Sequence, residues 1–193
     1  MKPQLVVIAG PNGAGKSTFH RVFLARMNLP FLNADNVETE TGLESIEAAR
    51  LLDTMRAQMI EDGAGFITET VFSDPYGSKL DMIRSAVEAG YDVVLVYIGL
   101  SSPELSELRV EQRVERGGHD VPRDRLAPRY ERSLANLKEA ITFVPVVKLY
   151  DNSLADEPFR PVATFANGAL TTRMKGRLPA WVRGLVPTGR GKR

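Results

Sequence analysis

An α/β fold, built on a parallel five-stranded sheet with helices on both faces, is predicted for this 193-residue chain by three observations. Short apolar runs alternate with helical periodicities along residues 4–150, the pattern of strand–helix–strand crossovers. The most apolar run, Val93 to Ile98, shows no polar alternation and suits a strand buried on both faces. A glycine-rich stretch, Gly10 to Thr18, separates the first such run from the first helical one.

In chain order, Leu5 to Ala9 is a short β-branched strand, and Phe19, Val22, Phe23 and Met27 recur at helical spacing after the glycines. Phe31 to Asp35 reads as a second strand ending in an acid. Leu43, Ile46, Ala49, Leu52, Met55 and Met59 make residues 42–62 one long amphipathic helix, stopped by Gly63 and Gly65. Phe66 to Val71 is a third strand, Asp74 to Gly77 a turn, and 78–89 a helix. After the central strand at 92–100, Pro103 opens a helix that runs to about Glu115 and is broken by Gly117 and Gly118. A further helix carries Tyr130, Leu134, Leu137 and Ile141. Pro128 works against its continuity, because proline disfavours helical geometry at Ala127. Val144 to Tyr150 is the fifth strand.

Beyond Asp151 the pattern changes. Asn167-Gly168, between 160–165 and 169–174, signals a type I′ hairpin. Residues 1–157 therefore form the main domain, and 158–193 a C-terminal β-hairpin and basic tail packed on it. The tail's end is expected to be mobile.

Composition bounds the function classes. With 43% hydrophobic and 25% charged residues the chain is an ordinary globular protein. It has no cysteine, which excludes disulfides, thiolate metal sites and cysteine nucleophiles. No signal-peptide pattern or membrane-length apolar run is present, so a cytoplasmic location is expected. Net charge is +1, but Glu157 is the last acid and eight basic residues follow it; residues 1–157 carry 17 basic and 24 acidic groups. Such a tail can bind nucleic acid, lie against the acidic body or be solvated. No aromatic interleaving accompanies it, so nucleic acid is not the expected partner.

Gly10 to Thr18 fits G-x-x-x-x-G-K-[ST], with Gly10, Gly15, Lys16 and Ser17 at the fixed positions. Glycines let successive N–H groups turn inward on an anion, and the following helix N-terminus adds partial positive charge. The motif implies nucleoside triphosphate binding on Gly10, Asn12, Gly13, Ala14, Gly15, Lys16, Ser17 and Thr18. Lys16 is expected on the β- and γ-phosphates and the Ser17 hydroxyl on Mg²⁺. This places the sheet in the P-loop NTPase/kinase fold.

Three polar constellations fall at the carboxyl ends of predicted elements, where ligands of such sheets bind. Asp35 can accept a proton from an acceptor hydroxyl, or act simply as a turn or capping residue. Glu69 and Thr70 can hold substrate, or form an exposed strand end. Arg113, Arg116, Arg123, Arg125, Arg129 and Arg132 surround Gly117 and Gly118. They suit a lid over triphosphate charge, at about 113–132, or a solvated helix pairing with Glu115 and Glu131. Arg125, Arg129 and Arg132 share one face if their helix is continuous. His119 is read as a loop residue. The central strand ends in Gly99-Leu100 without the acid that ATPases and GTPases place there, and no Asn-Lys-x-Asp motif occurs. That absence favours small-molecule kinases.

Together the phosphate loop, Asn33-Ala34-Asp35, Glu69-Thr70 and the segment Arg113 to Pro122 resemble the zeta-toxin-like P-loop kinases, over about residues 4–153. The resemblance implies an ATP-dependent kinase acting on a sugar hydroxyl, with UDP-N-acetylglucosamine the substrate of the toxin members. It implies Asp35 as catalytic base, Lys16 and Ser17 as phosphate and Mg²⁺ ligands, and Glu69 as a substrate-contacting acid. Arg116 and Arg129 match the catalytic lid arginines, with Arg113 and Arg132 beside them, and Asp151 to Ser153 passes near the adenine. An antitoxin-like protein partner belongs to the same resemblance. Other readings kept open are a kinase for a nucleoside, sugar or antibiotic, and a nucleic-acid-associated ATP-binding protein or polynucleotide kinase.

Overall fold

The computed structural model describes residues 2–118 and 121–186. Expectations attached to His119, Asp120, Arg190, Lys192 and Arg193 lie outside the described residues.

Among the described residues one sheet of seven strands, rather than five, runs in the order β2-β3-β1-β4-β5-β6-β7. The five expected parallel strands are β1 (Gln4–Ala9), β2 (Phe31–Leu32), β3 (Phe66–Thr70), β4 (Asp92–Gly99) and β5 (Val146–Asp151). The hairpin strands β6 (Arg160–Ala166) and β7 (Ala169–Arg173) continue the same sheet antiparallel to β5. Their turn has φ of 49° at Asn167 and 77° at Gly168, the two positive values a type I′ turn requires.

β1 shows why the sheet is covered on both sides. Leu5, Val7 and Ala9 enter one apolar cluster, with Phe66, Leu95, Tyr97, Ile83 and Leu137. Val6 and Ile8, pointing the other way, enter a second with Ile67, Val96, Ile98 and Phe19. Each fully buried side chain of this kind contributes roughly 1.5–3 kcal/mol.

Helices α1 (Lys16–Phe19), α2 (Ala34–Thr41), α3 (Ser45–Glu61), α4 (Ser78–Glu88), α5 (Pro103–Val114) and α6 (Arg123–Ala140) fill the connections. Past Phe19 the helical path widens into a π-helical stretch over His20–Leu24 and tightens to 3-10 geometry over Ala25–Met27. Only Phe19 of its apolar residues is buried, and Val22 and Phe23 stay exposed.

Three boundaries depart from expectation. β2 ends at Leu32, because the Asn33 side chain accepts the Asn36 N–H at 2.8 Å and starts α2. The expected 42–62 helix is preceded by α2 and begins at Ser45; Gly42, with φ 69°, ends α2 in a left-handed cap. α6 is continuous through Pro128, which is exposed near its N-terminal end. Buried Leu126, Tyr130, Ser133 and Leu137 hold that helix to the core, where tertiary packing outweighs the local cost of proline. Among the described residues no helix is long and apolar enough to cross a membrane.

Candidate active site

β1 delivers the chain to Gly10 between β3 and β4, where φ is 146° and a Cβ would stand 2.2 Å from the Ile98 carbonyl oxygen. Only glycine lets the loop leave the sheet so close to β4. Gly15, with φ 88°, is the cap from which α1 starts, and a Cβ there would meet the Asn152 amide at 2.9 Å. The loop is braced from outside. Ser106 donates its hydroxyl to the Asn12 carbonyl at 2.6 Å, and Asn152 donates its amide to the Ala14 carbonyl at 2.9 Å.

Lys16 is buried at 7% exposure, with its ammonium donating to the Pro11 carbonyl at 3.1 Å and standing 3.9 Å from the Glu69 carboxylate. Burial lowers its pKa from the ordinary lysine value; Glu69 and, more weakly, Asp35 oppose that shift, and Arg113 adds to it. The exposed Ser17 hydroxyl donates to the other Glu69 oxygen at 2.8 Å, and Thr18 is exposed beside it. Parallel pairing sets Glu69 level with Ile8 on β1, so β3 brings an acid to the loop that β4 does not.

From here a cleft of about 690 Å³ opens. Its floor includes Asn12, Gly13 and Lys16; Asp35 and Glu69 line its sides, with Thr70. Asp35 lies in the first turn of α2 and is exposed to the cleft. Arg113 from α5 and Arg125, Arg129 and Arg132 from α6 line the facing wall. The last three recur at one helical face, and the pKa of half-buried Arg129 is lowered by burial and then by its two arginine neighbours. Three cations so placed repel one another, and an anion between them relieves that repulsion. Arg116, on the connection after α5, is exposed and not among the cleft-lining residues. The segment read as a lid thus combines the end of α5, a connection and an anchored helix: the Tyr130 hydroxyl donates to the Leu100 carbonyl at 2.7 Å.

Several site residues escaped the sequence reading. Arg56 is 3% exposed, and its guanidinium donates to the Thr68 hydroxyl, the Asp53 carboxylate and the Glu69 carbonyl, each at 2.8 Å. Burial lowers its pKa, against the pull of Asp53. Lys79 closes the network on Asp53 at 2.6 Å. The available signal was the spacing Ala48–Leu52–Arg56, which puts an arginine in line with the buried stripe of α3. On the same wall the chain turns sharply after Thr70: buried Phe72 adopts φ 61°, and its N–H donates to the Thr70 hydroxyl at 3.0 Å. α6 reaches over to this turn. Arg132 Nε donates to the Ser73 carbonyl at 2.9 Å, and the Asn136 amide to the carbonyls of Phe72 and Asp74 at 3.0 and 3.2 Å.

The residues fit a metal-bound triphosphate. The loop carries positive φ at Gly10, Gly13 and Gly15, Lys16 supplies a buried cation, and Asn12 Oδ1 is enclosed without a hydrogen-bond partner among the described residues. A divalent cation has Ser17 and Glu69 as oxygen donors. Among the described residues no group of three or more acids and histidines gathers as a site of its own, so the cation would be shared with nucleotide phosphates.

The zeta toxin family model matches residues 1–155. A Haemophilus influenzae chain described as an uncharacterized protein is 29% identical over 135 residues, covering 67% of this chain and 94% of that one. Among solved structures, the PezAT chromosomal toxin-antitoxin system of Streptococcus pneumoniae superposes with a TM-score of 0.62 at 19% identity, over 84% of this chain and 71% of that one. The AvrRxo1-ORF1:-ORF2 complex with ATP superposes at 0.65 and 19% identity, over 88% and 60%. The two structures share the fold, and with four-fifths of its residues matched by the family model this chain belongs to the zeta toxin family.

Proposed function

We propose that this chain is an ATP-dependent kinase that transfers the γ-phosphoryl group to a hydroxyl of a sugar nucleotide, UDP-N-acetylglucosamine being the first candidate. One observation carries the reading: Lys16, Asp35, Glu69 and the arginine face of α6 all open into a single cleft. Family membership supports the same chemistry.

ATP would lie with its phosphates on residues 10–18, Lys16 neutralising the β- and γ-oxygens and Ser17 holding Mg²⁺. Mg²⁺, when bound, screens phosphate charge and polarises the γ-phosphorus. Glu69, hydrogen-bonded to the Ser17 hydroxyl, would help hold the metal and contact substrate. Asp35 accepts the proton as the acceptor oxygen bonds to the γ-phosphorus. The bond from that phosphorus to the bridging oxygen breaks, and ADP leaves with the electron pair. Arg129, with Arg125, Arg132 and Arg113, stabilises charge on the equatorial oxygens. Arg116, exposed outside the cleft lining, is kept as a lid arginine on the family resemblance alone. Thr70 and the Arg56–Asp53–Lys79 network form the acceptor wall. A cytoplasmic setting and an antitoxin-like partner accompany this reading, the latter supported by the PezAT system being a toxin and its antitoxin.

The test is ATP consumption with Mg²⁺ and UDP-N-acetylglucosamine, followed by mass spectrometry of the acceptor. Gain of one phosphate mass supports the assignment. ATP binding without any such gain would move the search to nucleosides, simple sugars, antibiotics and polynucleotide ends.

A further inference from the structure

The family match stops at residue 155, yet residues 158–186 grip the chain directly behind the phosphate loop. Asp151, the last residue of β5, is 2% exposed, and its carboxylate accepts three side-chain donors. These are the Trp181 indole N–H at 2.9 Å, the Arg160 guanidinium at 3.0 Å and the Ser153 hydroxyl at 2.6 Å. The first two come from beyond the matched region. Trp181 is fixed in turn by close packing, since a Cβ on Gly99 would lie 2.2 Å from its ring.

The next residue carries the connection forward. Asn152 is buried; its backbone N–H donates to the Gly99 carbonyl at 3.0 Å and its side-chain amide to the Ala14 carbonyl. Its side-chain oxygen accepts the Phe159 N–H at 3.2 Å. Phe159 takes φ 54° and sets its ring 3.3 Å from where a Gly15 Cβ would be. Every link from Trp181 and Arg160 to the loop is therefore a direct contact or a single peptide unit. A buried carboxylate that loses a donor is left with uncompensated charge, so Asp151 must move or rehydrate. Either response displaces Asn152 from Ala14.

We propose that Trp181 and Arg160 are positioning residues for the phosphate loop. They pin Asp151, Asp151 sets Asn152, and Asn152 holds the loop in its anion-binding shape. The inference rests on reading residues 10–18 as the ATP site. By linkage, ATP on the loop must in turn tighten the contacts of Trp181.

Trp181 is the chain's one tryptophan, so its emission reports this junction alone. The full-length protein is titrated with MgATP, following calorimetry and tryptophan fluorescence in parallel. The expected result is a saturable emission change with the calorimetric Kd. Arg160→Met should weaken ATP binding roughly five- to fiftyfold, the ordinary range of coupling between sites, and Arg160→Lys should restore most of it. Trp181→Phe keeps an aromatic ring on Gly99 without the N–H donor, and should weaken binding as well. Variants that melt lower yet bind ATP like wild type, well below their melting temperatures, would show that the extension only stabilises the fold and overturn the proposal. So would Trp181 emission that ignores ATP while calorimetry shows binding. Absence of calorimetric binding in the wild type is a separate failure, that of the ATP-site reading itself, and takes this inference with it. If Arg160→Met does not fold, Arg160→Lys and Trp181→Phe carry the test.

Discussion

Asp35 sits in the first turn of a helix capped by Asn33, with its carboxylate free to face the cleft. If it is the base, Asp35→Asn should leave ATP affinity within about twofold and lower kcat by roughly 10²–10⁴, the usual worth of general base catalysis. An unaltered kcat would assign the proton elsewhere. Lys16 predicts a different signature. Burial lowers its pKa, so the unfolded chain binds this proton more tightly than the folded one. Between the lowered value and the ordinary lysine value, about 10.4, the unfolded state holds more protons and stability rises with pH on this residue's account. Lys16→Met should therefore melt higher than wild type at pH 7, with the gap narrowing toward pH 10, and lose ATP affinity. Thermal melts across that range, beside ATP titration, check both halves. A function-bearing residue that costs stability is common at binding sites.

Helices show where sequence logic reached and where it stopped. The strand–loop–helix motif put Gly10 to Thr18 in place, because the residue types dictate backbone shape directly. The arginine face of α6 was legible from the spacing of 125, 129 and 132. Pro128 obscured its continuity, since local propensity cannot weigh the buried anchors at Leu126 and Tyr130. α2 was missed for a related reason: Asn33 reads equally as strand end or helix cap until its acceptor meets the Asn36 N–H. Arg56's bonds to β3 and the hold of Asn152 on Ala14 were out of reach, although the resemblance sets 151–153 near the adenine, because only the folded topology joins these partners. Pro128 yields its own prediction. It is exposed and lies inside the helix, so Pro128→Ala restores a donor without disturbing packing, and should stabilise the protein by about 1–3 kcal/mol in chemical denaturation.

Across the whole molecule, the segment after Glu157, expected to pack on the main domain, shares its core. Val162, Ala163, Phe165, Leu178, Trp181, Val182 and Val186 belong to the same buried cluster as Leu5, Val7 and Tyr97. β6 also covers the edge of β5. A chain truncated after Glu157 should therefore expose an apolar, unpaired strand and aggregate. Size-exclusion chromatography and circular dichroism on the truncated form decide this; a monomeric, cooperatively melting product would show the core to be independent.

α6 ties the turn after β3 to the arginine-lined side of the cleft. Through Arg132 and Asn136 it is hydrogen-bonded to the turn at 72–74, while Arg125 and Arg129 of the same helix line the cleft that Lys16 also lines. If the acceptor settles against that turn, as proposed, it should set the arginines at the same moment, and the two substrates should bind with synergy. On the proposed kinase reading the same link should suppress futile ATP hydrolysis, because water cannot press on the turn as an acceptor would. Asn136→Ala removes both bonds and should loosen it, raising acceptor-free phosphate release relative to acceptor-dependent turnover by at least roughly two- to tenfold, the scale of a single neutral hydrogen bond. On that reading the fidelity of phosphoryl transfer would depend partly on an amide outside the lining of the cleft.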